Sequence, residues 1–139
     1  MSASVIEYRS GRTAAVYLGL SVFCSVFGTV YEAFSHGVYS FFMAFCFLPT
    51  LLLGALPFGV IYFAKLKMPD RTSFNLYNSG VASLAVGFVF RGVLEIYGTT
   101  NLLGEVYFFS SIFFIAASFI TFMSRRRRKM RDTQFESID

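Results

Sequence analysis

Four ionisable side chains in otherwise apolar sequence are the main candidates for chemistry: Glu32, His36, Arg91 and Glu95. Glu32 and His36 are four residues apart, and so are Arg91 and Glu95. In a helix this spacing places both members of a pair on one face. A charge at the centre of a bilayer costs about 2.5–3.5 kcal/mol even on lenient scales, and such charges often mark ligand or ion sites. The pattern predicts a binding site for a small solute or an ion.

Three further residues are expected at the rim of this site: Glu105, Tyr31 and Tyr97. A purely structural alternative stays open, in which the same charges only pair with one another and join two helices, because buried charges need partners in either case. A metal held by Glu32, His36 and Glu95 is conceivable from the ligand types, but Arg91 beside them would repel a cation. We therefore predict neither a metal nor another cofactor.

The elements that must position these residues are four long apolar stretches. Hydrophobic residues make up 55% of the 139-residue chain and charged residues 14%, whereas soluble domains carry about 25% charged residues. Each stretch has the length of about 20 residues that a membrane-spanning helix needs. We predict an all-α membrane protein, a four-transmembrane-helix bundle of two antiparallel hairpins. The helices are expected at about 13–36, 38–64, 74–97 and 105–123, between an N-terminal segment (1–12) and a basic tail (124–139).

Basic residues give the orientation. Of the twelve Lys and Arg residues, eleven lie in the terminal segments or in the connection between the two hairpins, and only Arg91 lies within a span. Because basic residues are retained in the cytoplasm while apolar helices insert, both termini are expected there. The prediction is a multi-pass protein of the cell membrane.

A dense basic run follows the fourth stretch, and its positions are Arg125, Arg126, Arg127, Arg128, Lys129 and Arg131. Fixing the topology is a sufficient role for this run. The same charges would also attract anionic lipid headgroups, by about 1 kcal/mol for each basic residue near the surface. Nucleic acid is not expected as a partner, since the tail contains no folded binding module.

The sequence leaves three further features open. Residues 26–34 align with residues 89–97 at four identical positions, which is compatible with an internal duplication. Pro49 and Pro57 predict a kinked second helix, which could be static or could bend. Cys24 and Cys46 are expected at the same depth of the first hairpin. They could form a disulfide, but we favour two small apolar residues with free thiols.

The function predicted from these patterns is non-enzymatic, because the nucleotide-binding, zinc-protease and paired-cysteine motifs are all absent from the sequence. The leading interpretation is binding or transport of a small solute or ion through the Glu/Arg/His cluster. Four helices rarely enclose a pathway alone, so this interpretation implies a homo-oligomer. The alternative is an accessory or regulatory subunit of a larger membrane complex. The polar stripes along the first and third helices would then form the contact with the partner protein.

Overall fold

The computed structural model describes the backbone of residues 3–136 and the side chains of residues 9–131. All regular secondary structure within this part of the chain is helical. Four stretches are long and apolar enough to cross a membrane, which confirms the predicted all-α protein with four spans. The elements are α1 (Ala3–Phe34), α2 (Phe41–Ala44), a π-helical segment (Pro49–Ala55), α3 (Leu56–Phe63), α4 (Arg71–Ile96) and α5 (Leu103–Glu136). The second span, Phe41–Phe63, comprises α2, the π-helical segment and α3.

Successive spans pack in opposite directions, so that α1 and the second span form one antiparallel hairpin and α4 and α5 form another. The second span lies between α1 and α4, and α5 packs along α4. The residue pairs that define these directions are Gly11–Tyr62, Cys24–Cys46 and Gly28–Met43 in the first hairpin, and Ser73–Ser118, Gly80–Ile115 and Arg91–Glu105 in the second. Following the predicted orientation, we call the end of the helices near Glu95 the outer end and the end near Arg71 the inner end.

The ends of the helices differ from the predicted bounds. Helix α1 begins at Ala3 rather than near residue 13, and it stops at Phe34 because His36 and Gly37 both have positive φ angles, 56° and 90°. Helix α5 continues through the basic run to Glu136. Arginine, lysine and methionine are good helix formers, so the helix does not have to end where the apolar sequence ends. The division into a membrane domain and two terminal segments, like the internal duplication, stays a prediction.

The second span is interrupted by a turn at residues 45–47, before Pro49, and changes from π-helical to α-helical form at Leu56, directly before Pro57. An α-helical bond to the Leu53 carbonyl would come from residue 57, which is Pro57 and has no N–H. The Tyr77 hydroxyl of α4 donates to this carbonyl at 2.7 Å. A neighbouring helix therefore satisfies the backbone group that the proline leaves unpaired, as is common in membrane helices. This contact stabilises the second span next to Pro57.

Replacing Tyr77 with phenylalanine is expected to lower the free energy of unfolding by about 0.5–1.5 kcal/mol, because the Leu53 carbonyl loses its donor. Reversible unfolding in mixed micelles, followed by circular dichroism, measures this loss. The matched control is Tyr62→Phe, since the Tyr62 hydroxyl makes no hydrogen bond within the described residues. An equal loss for both variants would contradict the role assigned to the Tyr77 hydroxyl.

The two hairpins approach each other closely at Met43 of α2, which is fully buried. A Cβ atom added to Gly28 of α1 would lie 2.6 Å from the Met43 carbonyl oxygen. A Cβ atom added to Gly92 of α4 would lie 2.8 Å from the Met43 nitrogen. Only glycine therefore allows α1 and α4 to hold the backbone of α2 from both sides. This contact positions α2 beside the ionisable residues of the outer end.

Candidate functional site

Arg91 is the centre of the charged cluster at the outer end. Its Nη1 atom lies 2.8 Å from Oε1 of Glu105 on α5, and its Nε atom lies 3.7 Å from Oε1 of Glu95, one turn further along α4. The guanidinium group also lies over the ring of Phe42 in α2, 4.7 Å from the ring centre. Each of the three charged side chains is about half exposed. The cluster therefore joins three helices and stays accessible from the outer end.

Glu95 is connected to the start of α2 as well. The hydroxyl of Ser40 donates to Oε2 of Glu95 at 2.7 Å and accepts a hydrogen bond from the Met43 N–H at 3.3 Å. Ser40 is thus the N-cap of α2, a role for which serine is among the preferred residues. It is almost completely buried. The position of the Glu95 carboxylate is consequently set by α2 and Arg91 together.

These charges line a cavity of about 280 Å³ at the outer end. Its lining contains two carboxylates and one guanidinium, so the ionised site carries a net charge of −1. The hydroxyl groups of Thr99 and Thr100 and the amide of Asn101 provide further hydrogen-bonding atoms from the connection between α4 and α5. The ring of Phe42, over which the Arg91 guanidinium lies, packs with the rings of Phe88 and Phe108 at centroid distances of 5.3–6.1 Å. An aromatic cluster therefore lies beside Arg91, next to the cavity.

The structure does not bring all predicted site residues together. Neither Glu32 nor His36 forms an ion pair among the described residues. Oε1 of Glu32 is buried without a hydrogen-bond partner. The exposed His36 lines a separate cleft of about 350 Å³ with the two expected rim residues, Tyr31 and Tyr97. Glu105, which was expected only at the rim, is instead the nearest charged partner of Arg91.

The two cysteines are in contact across the first hairpin. The Cys46 thiol, which is buried, donates to the Cys24 carbonyl oxygen at 3.1 Å, and both thiols are free. An added Cβ at Gly28 would lie 3.2 Å from the Cys46 sulfur, so glycine provides the space for this side chain. The arrangement fits two small residues in a helix interface, with a weak thiol hydrogen bond between α1 and the second span.

At the inner end, the first residue of the basic run contacts the connection before α4. Arg125 lies 3.7 Å from a carboxylate oxygen of Asp70 and donates to the Thr72 hydroxyl at 3.2 Å. The rest of the run is exposed on α5. Attraction of these basic side chains to lipid headgroups stays a prediction, and Arg125 has an additional contact that links α5 to the start of α4.

Four apolar helices of spanning length, two tight helical hairpins and ionisable groups at the helix ends define the class: this is a small multi-pass integral membrane protein. Comparisons with models of known protein families, with curated proteins and with solved structures find no match to this chain. Among the described residues, no group of three or more His, Cys, Asp or Glu side chains is arranged to hold a metal ion.

Proposed function

We propose that this protein binds a small, positively charged solute in the cavity at its outer end. The observation that carries the proposal is the excess of carboxylate over guanidinium around Arg91. Arg91 neutralises one carboxylate, and one negative charge remains at a site lined by hydroxyl and amide groups. A solute with an ammonium group could bind Glu95 or Glu105 through charge-assisted hydrogen bonds, which are stronger than neutral ones. The low polarity of the aromatic cluster beside Arg91 would strengthen this attraction.

Transport of such a solute would need more than one copy of the chain. The cavity is lined only by residues between positions 91 and 105, so it does not extend through the four-helix unit. The proposal therefore includes a homo-oligomer, in which a pathway would run along the contact between copies. Binding at the outer end would be the first step of uptake or of sensing.

The test is the stabilisation of the purified protein by three probes of similar size: ethylammonium, acetate and ethanol. At ten times its Kd, ethylammonium is expected to raise the free energy of unfolding by about 1.4 kcal/mol, while the anion and the neutral alcohol have no such effect. Glu105→Gln removes the excess charge and should abolish the increment. The control Asp70→Asn removes an equivalent charge at the inner end and should retain it. The proposal would be contradicted if acetate stabilised the protein as much as ethylammonium, or if Asp70→Asn lost the stabilisation by ethylammonium.

A second candidate function is that of a subunit in a larger membrane complex. The observation that favours it is a groove of about 570 Å³ between α1 and α4, with Thr50 of the second span at its base. The groove is mainly apolar, and Thr13 and Asn78 contribute polar groups to its walls. A transmembrane helix of another protein would bury this surface and could hydrogen-bond to these groups. Native mass spectrometry of the protein from its own membrane separates the two functions. A homo-oligomer supports solute binding, and a stoichiometric foreign subunit supports the second candidate.

A further inference from the structure

A second cavity lies at the inner end, far from the outer cluster. It has a volume of about 500 Å³ and is bounded by α3, α4 and α5. This volume falls within the range of about 300–1,000 Å³ that is typical of ligand pockets. Its walls are mainly apolar and include Phe58, Ile61, Phe119 and Phe122. Such walls match a hydrocarbon chain, and Lys67 lies in the same lining.

One polar atom in this cavity has no partner. Ser73 is only 1% exposed, and its hydroxyl makes no hydrogen bond. The neighbouring Ser118 does not satisfy it, because the Ser118 hydroxyl donates to the Ser73 carbonyl at 2.7 Å instead. Both serines line the cavity. A buried hydroxyl is normally hydrogen-bonded, so an acceptor atom of a bound molecule would complete this site.

The charges around Ser73 favour an anionic group. Ser73 lies in the first turn of α4, where the backbone N–H groups carry partial positive charge. Asp70, the residue directly before α4, does not cap these groups with its side chain. Its carboxylate is turned toward Arg125, at 3.7 Å. Lys67 adds a full positive charge to the lining of the cavity. A helix N-terminus, a lysine and an unpaired hydroxyl thus converge beside an apolar cleft.

We propose that this cavity binds an anionic phospholipid. One acyl chain lies in the apolar cleft against Phe58 and Phe119, and the phosphate lies near Lys67 and the first turn of α4. After rotation of its side chain toward the cleft, the buried Ser73 hydroxyl donates to an oxygen of the phosphate or of the first ester group. A zwitterionic lipid with the same chains fills the cleft equally well, but its cationic headgroup is repelled by the same charges. The site is independent of the solute cavity at the outer end.

Native mass spectrometry of the full chain in mild detergent tests this site with two probes of equal chain length, dioleoyl phosphatidylglycerol and dioleoyl phosphatidylcholine. The first bound lipid is expected to favour phosphatidylglycerol by about fivefold or more, the ratio that one favourable charge near the membrane surface provides. Lys67→Gln should reduce that preference by about fivefold, and Ser73→Ala should weaken the binding of both lipids by a similar factor, because both carry the phosphate and ester oxygens. The matched control is Lys65→Gln, which removes the same charge from a lysine outside the cavity lining.

Two outcomes would overturn the proposal. Equal binding of the two lipids to the unmodified protein would show that the site does not distinguish an anionic from a zwitterionic headgroup. If Lys65→Gln lowers the preference for phosphatidylglycerol as much as Lys67→Gln does, the preference comes from the overall positive charge of the inner end and not from this cavity. Ser73→Ala is expected to fold normally, because it removes a hydroxyl that has no hydrogen-bond partner in the lipid-free protein. Its unfolding in lipid-free detergent should match that of the unmodified protein, while its phosphatidylglycerol binding is weakened.

Discussion

Replacing Gly92 with alanine is expected to destabilise the protein by about 1–3 kcal/mol, the usual cost of forcing an extra carbon into a packed interior. The added Cβ would lie 2.8 Å from the nitrogen, 2.9 Å from the Cβ and 3.0 Å from the Cα of Met43. These atoms belong to the backbone of α2 or are fixed to it, so no side-chain rotation relieves the contact. Helices α2 and α4 would have to separate. Chemical unfolding of the purified protein in mixed micelles measures the loss.

Gly59 in α3 provides the matched control. A Cβ added there has no neighbouring heavy atom within 4 Å, and alanine is favoured over glycine in a helix interior by about 0.5–1 kcal/mol. Gly59→Ala should therefore be neutral or stabilising. Shortening the Met43 side chain should not rescue Gly92→Ala, because the nearest atom is the Met43 backbone nitrogen. Unfolding of Gly92→Ala at the same denaturant concentration as the unmodified protein would refute the close contact between α2 and α4.

The sequence predicts those parts of the architecture that depend on one physical property of a local segment. Spans of about 20 apolar residues have few alternatives to membrane helices, and Pro57 removes a backbone donor wherever it stands in a helix. The π-helical form of residues Pro49–Ala55 was not accessible in this way. An added Cβ at Gly54 would clash with the Tyr17 ring, so this segment packs directly against α1. A contact between distant positions cannot be read from the local sequence.

The predicted site shows the same division. Arg91 and Glu95 share one face of a helix, as their four-residue spacing predicts, because both residues lie within α4, and their side chains are in contact. The same spacing failed for Glu32 and His36, because α1 ends at Phe34 and His36 has a positive φ angle. Two residues outside a common helix do not share a face. Gly37 indicated a helix end directly after His36, but α1 ends two residues earlier, at Phe34.

Sequence reasoning also missed Ser40. A serine before the run of aromatic residues that forms α2 is a recognisable N-cap signal. Its hydrogen bond to Glu95, however, joins residues 55 positions apart. The role of Glu105 depended in a similar way on the exact length of the connection between α4 and α5, which sets which residues face each other. Such pairings arise from helix packing, and the sequence gives only the residue types that are able to form them.

Removing the charge of Arg91 provides the most direct test of how the outer cluster is held together. Arg91→Gln is expected to lower the free energy of unfolding by about 1–2 kcal/mol. This is less than the 3–5 kcal/mol cost of breaking a fully buried pair, since the side chains of Arg91 and Glu105 are 40% and 51% exposed. The loss has two sources: two carboxylates remain without their cation, and the contact of the guanidinium with the Phe42 ring disappears.

A double-mutant cycle assigns the share that belongs to the Arg91–Glu105 pair. The variant with both Arg91→Gln and Glu105→Gln should be more stable than the sum of the single effects predicts, with a coupling energy of about 0.5–1.5 kcal/mol. The reason is that the second substitution removes a carboxylate that the first has left unpaired. The control cycle uses Arg125→Gln and Asp70→Asn, a longer and exposed pair at 3.7 Å, for which at most about 0.5 kcal/mol is expected. Equal coupling energies in the two cycles would mean that the Arg91–Glu105 pair is an ordinary surface ion pair. The excess negative charge that we propose attracts a cationic solute would then be screened by solvent.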